Sequence, residues 1–175
     1  MANISEVIGQ LINFECFNKN NRLLGITTID LPDLKFLTAE IQGAGVAGKI
    51  DLATIGFLDA VQITLNWRNI TSDLAELAVP HAVDLILYGA QEIYDHANGK
   101  LGVQQIKINL RGVPKTGTLG KFESSSATDS KTEIEVIYLR ISVGGKVITE
   151  FDKVNYVFIT NGTDYLAETR AALNI

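Results

Sequence analysis

The sequence has one cysteine and two histidines in 175 residues. A lone Cys16 excludes an internal disulfide framework and a zinc-ribbon site. His81 and His96 are too few for a His-rich metal centre. No window of ~18 uncharged apolar residues occurs, so no membrane-spanning helix is expected. The first residues, Met1 to Ile8, lack a basic stretch followed by an apolar run. They do not read as a secretory signal, and the expected place is a cytoplasm or a particle assembled in one. Basic residues are also short, 15 against 20 acidic, for a net charge of -5. A dedicated nucleic-acid binder needs a basic footprint to displace counterions, and a polybasic membrane anchor needs one too. The imbalance is local. Residues 1–87 hold five basic and ten acidic side chains, and residues 88–175 hold ten of each.

What is present is an ordinary globular composition, 46% apolar and 20% charged. The length fits one domain, 1–175, able to bury a core without staples. Residues 1–9 read as a short helix or an arm. Leu11 to Phe17 reads as a strand, Asn18 to Asn21 as a turn, and Arg22 to Leu31 as the returning strand. Lys35 to Gln42 is extended, and residues 43–56 form a Gly-rich loop. Val61, Ile63, Leu65 and Trp67 alternate with Gln62, Thr64, Asn66 and Arg68, a half-buried strand. Thr71 to Asp73 offers cap oxygens for a helical run from Leu74 to Val79, closed by Pro80. Val83 to Tyr94 is strand-like. A second alternation sets Ile106, Ile108 and Leu110 against Gln105, Lys107, Asn109 and Arg111. Residues 112–130 are rich in Gly, Ser and Thr and read as a long exposed loop. Lys131 to Val143 is a strand. Gly144-Gly145 suits a two-residue hairpin turn, both positions tolerating positive φ. Lys146 to Thr160 returns antiparallel. After Asn161-Gly162, a cap at Thr163 or Asp164 starts a terminal helix. The expected fold is mainly β with minor α: an antiparallel β-sandwich or partial barrel with a short internal helix and a C-terminal helix.

Catalytic signals are thin. Gly43-Ala-Gly45-Val-Ala-Gly48 matches G-x-G-x-x-G, but a dinucleotide site needs a strand before it and a helix opening behind it. Here no helical period follows, so a flexible loop is the better reading, and a small nucleotide-binding enzyme is the alternative from another class. His81 with Asp84, and Asp95 with His96, make no closed metal site. Cys16 shares an apolar strand face with Ile12 and Phe14, the setting of a small buried hydrophobe rather than a nucleophile. Glu133 and Glu135 share a strand face and read as solvated carboxylates rather than a glycosidase pair. No G-x-S-x-G, H-E-x-x-H or Walker loop occurs. Neither a catalytic residue nor a cofactor is expected, and a structural or interaction role is favoured. The two polar strand faces, Gln62-Thr64-Asn66-Arg68 and Gln105-Lys107-Asn109-Arg111, read either as the wet side of a sheet or as the wall of a wide aqueous lumen.

The C-terminal stretch carries a family resemblance. It runs from Lys131 to Leu139 (KTEIEVIYL) through Gly144-Gly145-Lys146-Val147-Ile148 and Glu150-Phe151-Asp152. It continues through Asn155 to Asn161-Gly162-Thr163-Asp164-Tyr165-Leu166-Ala167-Glu168-Thr169-Arg170-Ala171-Ala172-Leu173. A Phe14-to-Gly25 hairpin, Leu31-Pro32-Asp33-Leu34, the glycines around Gly43 to Gly48, and Leu110-Arg111-Gly112 match in order. This pattern resembles the major tail tube proteins of contractile-tailed bacteriophages. The resemblance implies hexameric rings of this chain, stacked into a hollow tube inside a sheath. It implies contacts with sheath, baseplate and tape-measure proteins, DNA as a transient cargo, no membrane partner, and a virion tail built in the host cytoplasm. A tube of a bacteriocin-like particle or a type VI-like machine is the alternative. The two polar faces become candidate lumen residues, and the acidic excess is expected to repel DNA there. Gly43, Gly45, Gly48, Lys49, Asp51, Lys115, Lys121 and Glu123 become candidate contacts between subunits or rings. The arm and both loops are expected to order on stacking.

Overall fold

A computed structural model describes residues 6–19, 21–43, 45 and 47–175. Among these residues, twelve strands and two short helices follow in chain order. The strands are β1 (Glu6–Asn18), β2 (Asn21–Arg22), β3 (Ile26–Asp30), β4 (Phe36–Ile41), β5 (Ile50–Leu58) and β6 (Gln62–Trp67). Helix α1 (Ser72–Leu77) precedes β7 (Val83–Asp95), β8 (Lys100–Thr118), β9 (Ser130–Val143), β10 (Lys146–Asp152), β11 (Val157–Thr160) and β12 (Thr163–Asp164). Helix α2 (Ala167–Leu173) closes the chain. Every pairing is antiparallel. The mainly β reading therefore holds.

Sheet order is β12-β11-β10-β9-β8-β7-β1-β2, and β6 joins β9 to β3. The long β9 is the fork. Its first half, Ser130 to Glu135, pairs with β6, and its second half, Tyr138 to Val143, pairs with β10. Along its other side β8 pairs with both halves. The β6–β3 branch folds over β8, β7 and β1. Ile63, Leu65 and Trp67 from one wall thereby join Leu85, Leu87, Ile108 and Leu110 from the other in one buried cluster. Full burial of each such side chain contributes about 1.5–3 kcal/mol. Trp67 keeps its polar end satisfied, Nε1 donating to Thr132 Oγ1 at 3.1 Å.

Helix α1 packs Leu74 and Leu77 into this core, and Thr71 caps it, its hydroxyl accepting from Leu74 N at 3.2 Å. Gly144 and Gly145 make the β9–β10 turn with φ of 56° and 82°.

Several expected boundaries move. Glu6 to Gly9 belong to β1 rather than to an arm or helix, while residues 1–5 lie outside the described residues. The return after the first turn is not one strand. The short β2 pairs with β1, and the chain then crosses at Gly25 so that β3 pairs with β6. Residues 50–56 are strand β5, paired with β4 in a separate two-stranded sheet. The expected loop at 112–130 shrinks to 119–129, because β8 runs on to Thr118. Two register shifts, at Arg111/Gly112 and Pro114/Thr116, break its alternation and hide the strand. The remaining loop is pinned: Lys121 N donates to Thr128 O, and Thr128 N donates to Arg68 O. Residues 146–160 form a hairpin, β10 and β11, around a turn in which Asp152 Oδ1 accepts from Val154 N and Asn155 N.

Candidate functional site

One sheet face turns away from the core across β1, β7, β8, β9 and β10. The register sets its side chains in three rows. The first is Asp84, Arg111, Tyr138 and Asp152. The second is Phe17, Ile86, Asn109, Arg140 and Glu150. The third is Glu15, Tyr88, Lys107, Ser142 and Val147. Gln105 continues the pattern opposite Ala90. The expected group Gln105, Lys107, Asn109 and Arg111 thus does share one outward face. Its neighbours on this face come from β9 and β10. A register shift near Ile137 changes which side chains of β9 point outward, from Lys131, Glu133 and Glu135 to Tyr138, Arg140 and Ser142.

The other polar group sits elsewhere. Gln62, Thr64 and Asn66 lie opposite Glu135, Glu133 and Lys131, on the outer side of the β3–β6 wall. That wall faces β7 and β8 across the core, so the two polar groups point away from each other. Asn66 Nδ2 donates to Thr28 Oγ1 and to Asp30 Oδ2, both at 3.0 Å. Arg68 lies just past β6 and is exposed. The two groups therefore do not share one surface of the subunit.

Charge on the three-row face is balanced. Counting Arg22, which bonds Glu15 from β2, it carries four cations (Arg22, Lys107, Arg111, Arg140) and four carboxylates (Glu15, Asp84, Glu150, Asp152). Arg111 Nε lies 2.6 Å from Asp84 Oδ1. Arg140 Nε lies 3.7 Å from Glu150 Oε2, and Tyr138 Oη donates to Glu150 Oε1 at 2.9 Å. Lys107 Nζ stands 5.4 Å from the centre of the Tyr88 ring. Burial raises the Asp152 carboxyl, but the bonds from Asn155 and Val154 and the nearby Arg111 charge together hold it below the usual range. The acidic excess of the chain is not on this face.

Beyond the body, the first part of β1, the end of β7 and the start of β8 form a three-stranded tongue. Strand β9 stops at Val143 opposite Ile106, and β2 reaches β1 only at Phe17 and Asn18. Among the described residues, both tongue edges thus lack a partner strand. Val7, Ile8, Leu101 and Val103 on it are more than half exposed. Unpaired edges with apolar side chains invite another chain. The β4–β5 hairpin is a second projection. Its base is anchored by Phe36 against Phe158, rings 5.4 Å apart, and by Gly56 against Leu166. Leu37, Ile41, Ile50 and Leu52 further out are exposed.

The glycines Gly43, Gly45 and Gly48 lie at the tip of this hairpin, with Ala44 and Val46 outside the described residues. Strand β5, not a helix, follows them, so the dinucleotide reading fails on geometry. Lys49 pairs with Glu40 at 3.0 Å, and Asp51 lies opposite Glu40. Lys115 is in β8, not in a loop, and lies 3.8 Å from Glu135. Lys121 and Glu123 are exposed on the 119–129 loop.

The remaining chemical candidates have structural partners. Cys16 is buried, and desolvation pushes its thiol up to about 12. Burial raises the Glu135 carboxyl, but bonds from Lys153 and Val61 N and the charges of Lys153 and Lys115 hold it low. The ring of His81 bonds Val79 O at 2.8 Å, and Asp95 closes a turn by accepting from Ala97 N and Asn98 N. Near the C-terminus Asp164 Oδ1 accepts from Leu166 N at 3.0 Å. Arg170 bonds both Asp164 Oδ2 at 2.5 Å and Tyr156 O at 2.6 Å. The D-x-L-x-x-x-R spacing is thus a clamp that fastens α2 to the β10–β11 turn. Leu166 is the N-cap of α2 and gives it no side-chain bond; the expected caps Thr163 and Asp164 form β12 instead.

A family model described as phage tail tube protein FII matches residues 9–173. The tail tube protein of Escherichia phage P2 is 23% identical over 156 residues, covering 85% of this chain and 86% of that protein. Among solved structures, the sheath/tube terminator of an extracellular contractile injection system, PVC, aligns with a TM-score of 0.51. It is 13% identical and covers 76% of this chain and 95% of that one. The sheath-tube complex of the same system aligns with a TM-score of 0.47 at 15% identity, covering 77% and 90%.

Proposed function

The chain belongs to the phage tail tube protein FII family, and from that premise we propose that it is the repeating subunit of a contractile tail's inner tube. Six copies form a ring, rings stack into a hollow conduit, and DNA passes through it when the surrounding sheath contracts. The tube meets sheath along its length, baseplate and tape-measure proteins at its end or bore, and is assembled in the host cytoplasm. The role is structural, with no catalytic step.

The observation that carries ring formation is the tongue, both of whose edges are unpaired among the described residues. A cyclic assembly covers one edge of each copy with the next copy and leaves none open. Sheet faces then run on from subunit to subunit, and wide barrels of many strands leave an aqueous channel. Of the two polar faces, the β1–β7–β8–β9–β10 face is the wall of that channel, because it is continuous with the tongue. The β6 face, with Gln62, Thr64 and Asn66, then lies outside the lumen. The β4–β5 tip and the 119–129 loop supply contacts between rings.

Negative-stain microscopy of the purified protein tests this reading. Rings about six subunits round, or tubes of stacked rings, are expected. A persistent monomer at every concentration would sink it. A capsid-less injection machine would use the same assembly, and the fold likeness to a tube terminator favours keeping that variant. Capsid and terminase genes beside this one decide for the phage.

A further inference from the structure

We propose that the carboxylates Asp84 and Glu150 act as guards that keep the arginines of the three-row face from binding a polyanion. The inference rests on that face being the channel wall and concerns its specificity towards duplex DNA. A wall with Lys107, Arg111 and Arg140 bare would release counterions from a duplex and hold it. A conduit must do the opposite. Each arginine is instead matched across the strand by an acid. Arg111 has Asp84 at 2.6 Å on β7, and the Asp152 carboxylate stands in the same row, oriented by its bonds from Val154 N and Asn155 N. Arg140 faces Glu150 on β10, whose carboxylate is oriented by the Tyr138 hydroxyl at 2.9 Å. Lys107 is held over the Tyr88 ring.

These pairs are partly exposed and add little stability. Their effect is on the field. A paired charge presents a short dipole, whose potential falls away within a Debye length of about 8 Å at physiological salt. The passing phosphates therefore meet a neutral wall, neither sticky nor strongly repelling. This differs from repulsion by an acidic excess, since the excess lies on other elements.

The test is a gain of binding. The protein, Asp84→Asn, Glu150→Gln and the double variant are titrated with a fluorescent DNA duplex at low salt. No retention is expected for the unaltered chain. The double variant should bind, with a slope of roughly -2 in log K against log salt, as for two phosphates neutralised. Adding Arg111→Gln and Arg140→Gln to it should abolish binding again. Neutralising Asp33 and Asp129, which are off this face, gives the same change in net charge and should leave the duplex free. Equal binding by the unaltered chain, or no binding by a folded double variant, overturns the proposal. Because dispersed subunits suffice, this result is separable from the microscopy. DNA behaving as stated with no rings formed would refute the tube reading alone.

Discussion

Gly56 shows how one position can hold the architecture together. Its φ is +70°, and a Cβ there would stand 2.5 Å from Leu166 Cγ. Leu166 is buried, and the Asp164–Arg170 clamp sets its place. Gly56→Ala should therefore cost about 2–4 kcal/mol, combining left-handed strain with overpacking. Urea unfolding measures it. Combined with Leu166→Ala, the loss should be smaller than the sum of the two single losses, since truncating Leu166 makes room for the methyl. Residues such as these were only half readable from sequence. The Asp164, Leu166 and Arg170 letters stood out as a family pattern. Their role as a clamp needed the Tyr156 carbonyl, 14 residues away in the chain from Arg170. Gly56 looked like loop material because nothing local says that a leucine 110 positions later fills its missing side chain.

Among the strands, β6 and the Ile106–Leu110 part of β8 were plain from their alternation, since each buries one face and wets the other. Strand β5 was not, because it lies in a two-stranded hairpin whose outer part is open to solvent on both sides. With little buried against it, its sequence is free of a two-residue period. The far end of β8 was hidden for another reason: two register shifts break the period, and Gly112 and Pro114 read as turn residues. An isolated two-stranded hairpin is marginal in water, and Leu37, Ile41, Ile50 and Leu52 on β4–β5 are exposed. Replacing residues 43–48 by a two-residue turn should leave the subunit's melting temperature within about 2 °C, because the core cluster lies elsewhere. It should shorten or abolish tubes. Thermal melting followed by electron microscopy checks both; tubes of normal length would remove the hairpin tip from the contacts between rings.

The molecule as a whole is a small closed core with unfinished surroundings. The β3–β6 and β7–β8 walls satisfy each other, while among the described residues the tongue edges have no partner strand and the outer part of the hairpin is exposed. Different patches meeting head to tail close into rings or run on into filaments, and a tube needs both. The sequence announced the family but not the wall. Two alternating strands read alike in sequence, and only the fold puts their polar faces back to back, on opposite sides of the core. Net charge was equally blind to position: an acidic chain turns a neutral face outward across β7 to β10. A cryo-EM reconstruction of the assembled protein would place each sheet face relative to the bore. Six-fold rings are expected, with Lys107, Asn109, Arg111 and Arg140 facing the bore and Gln62, Thr64 and Asn66 away from it. A tube with the β6 face lining the bore, or with the tongue edges left unpaired, would contradict this arrangement.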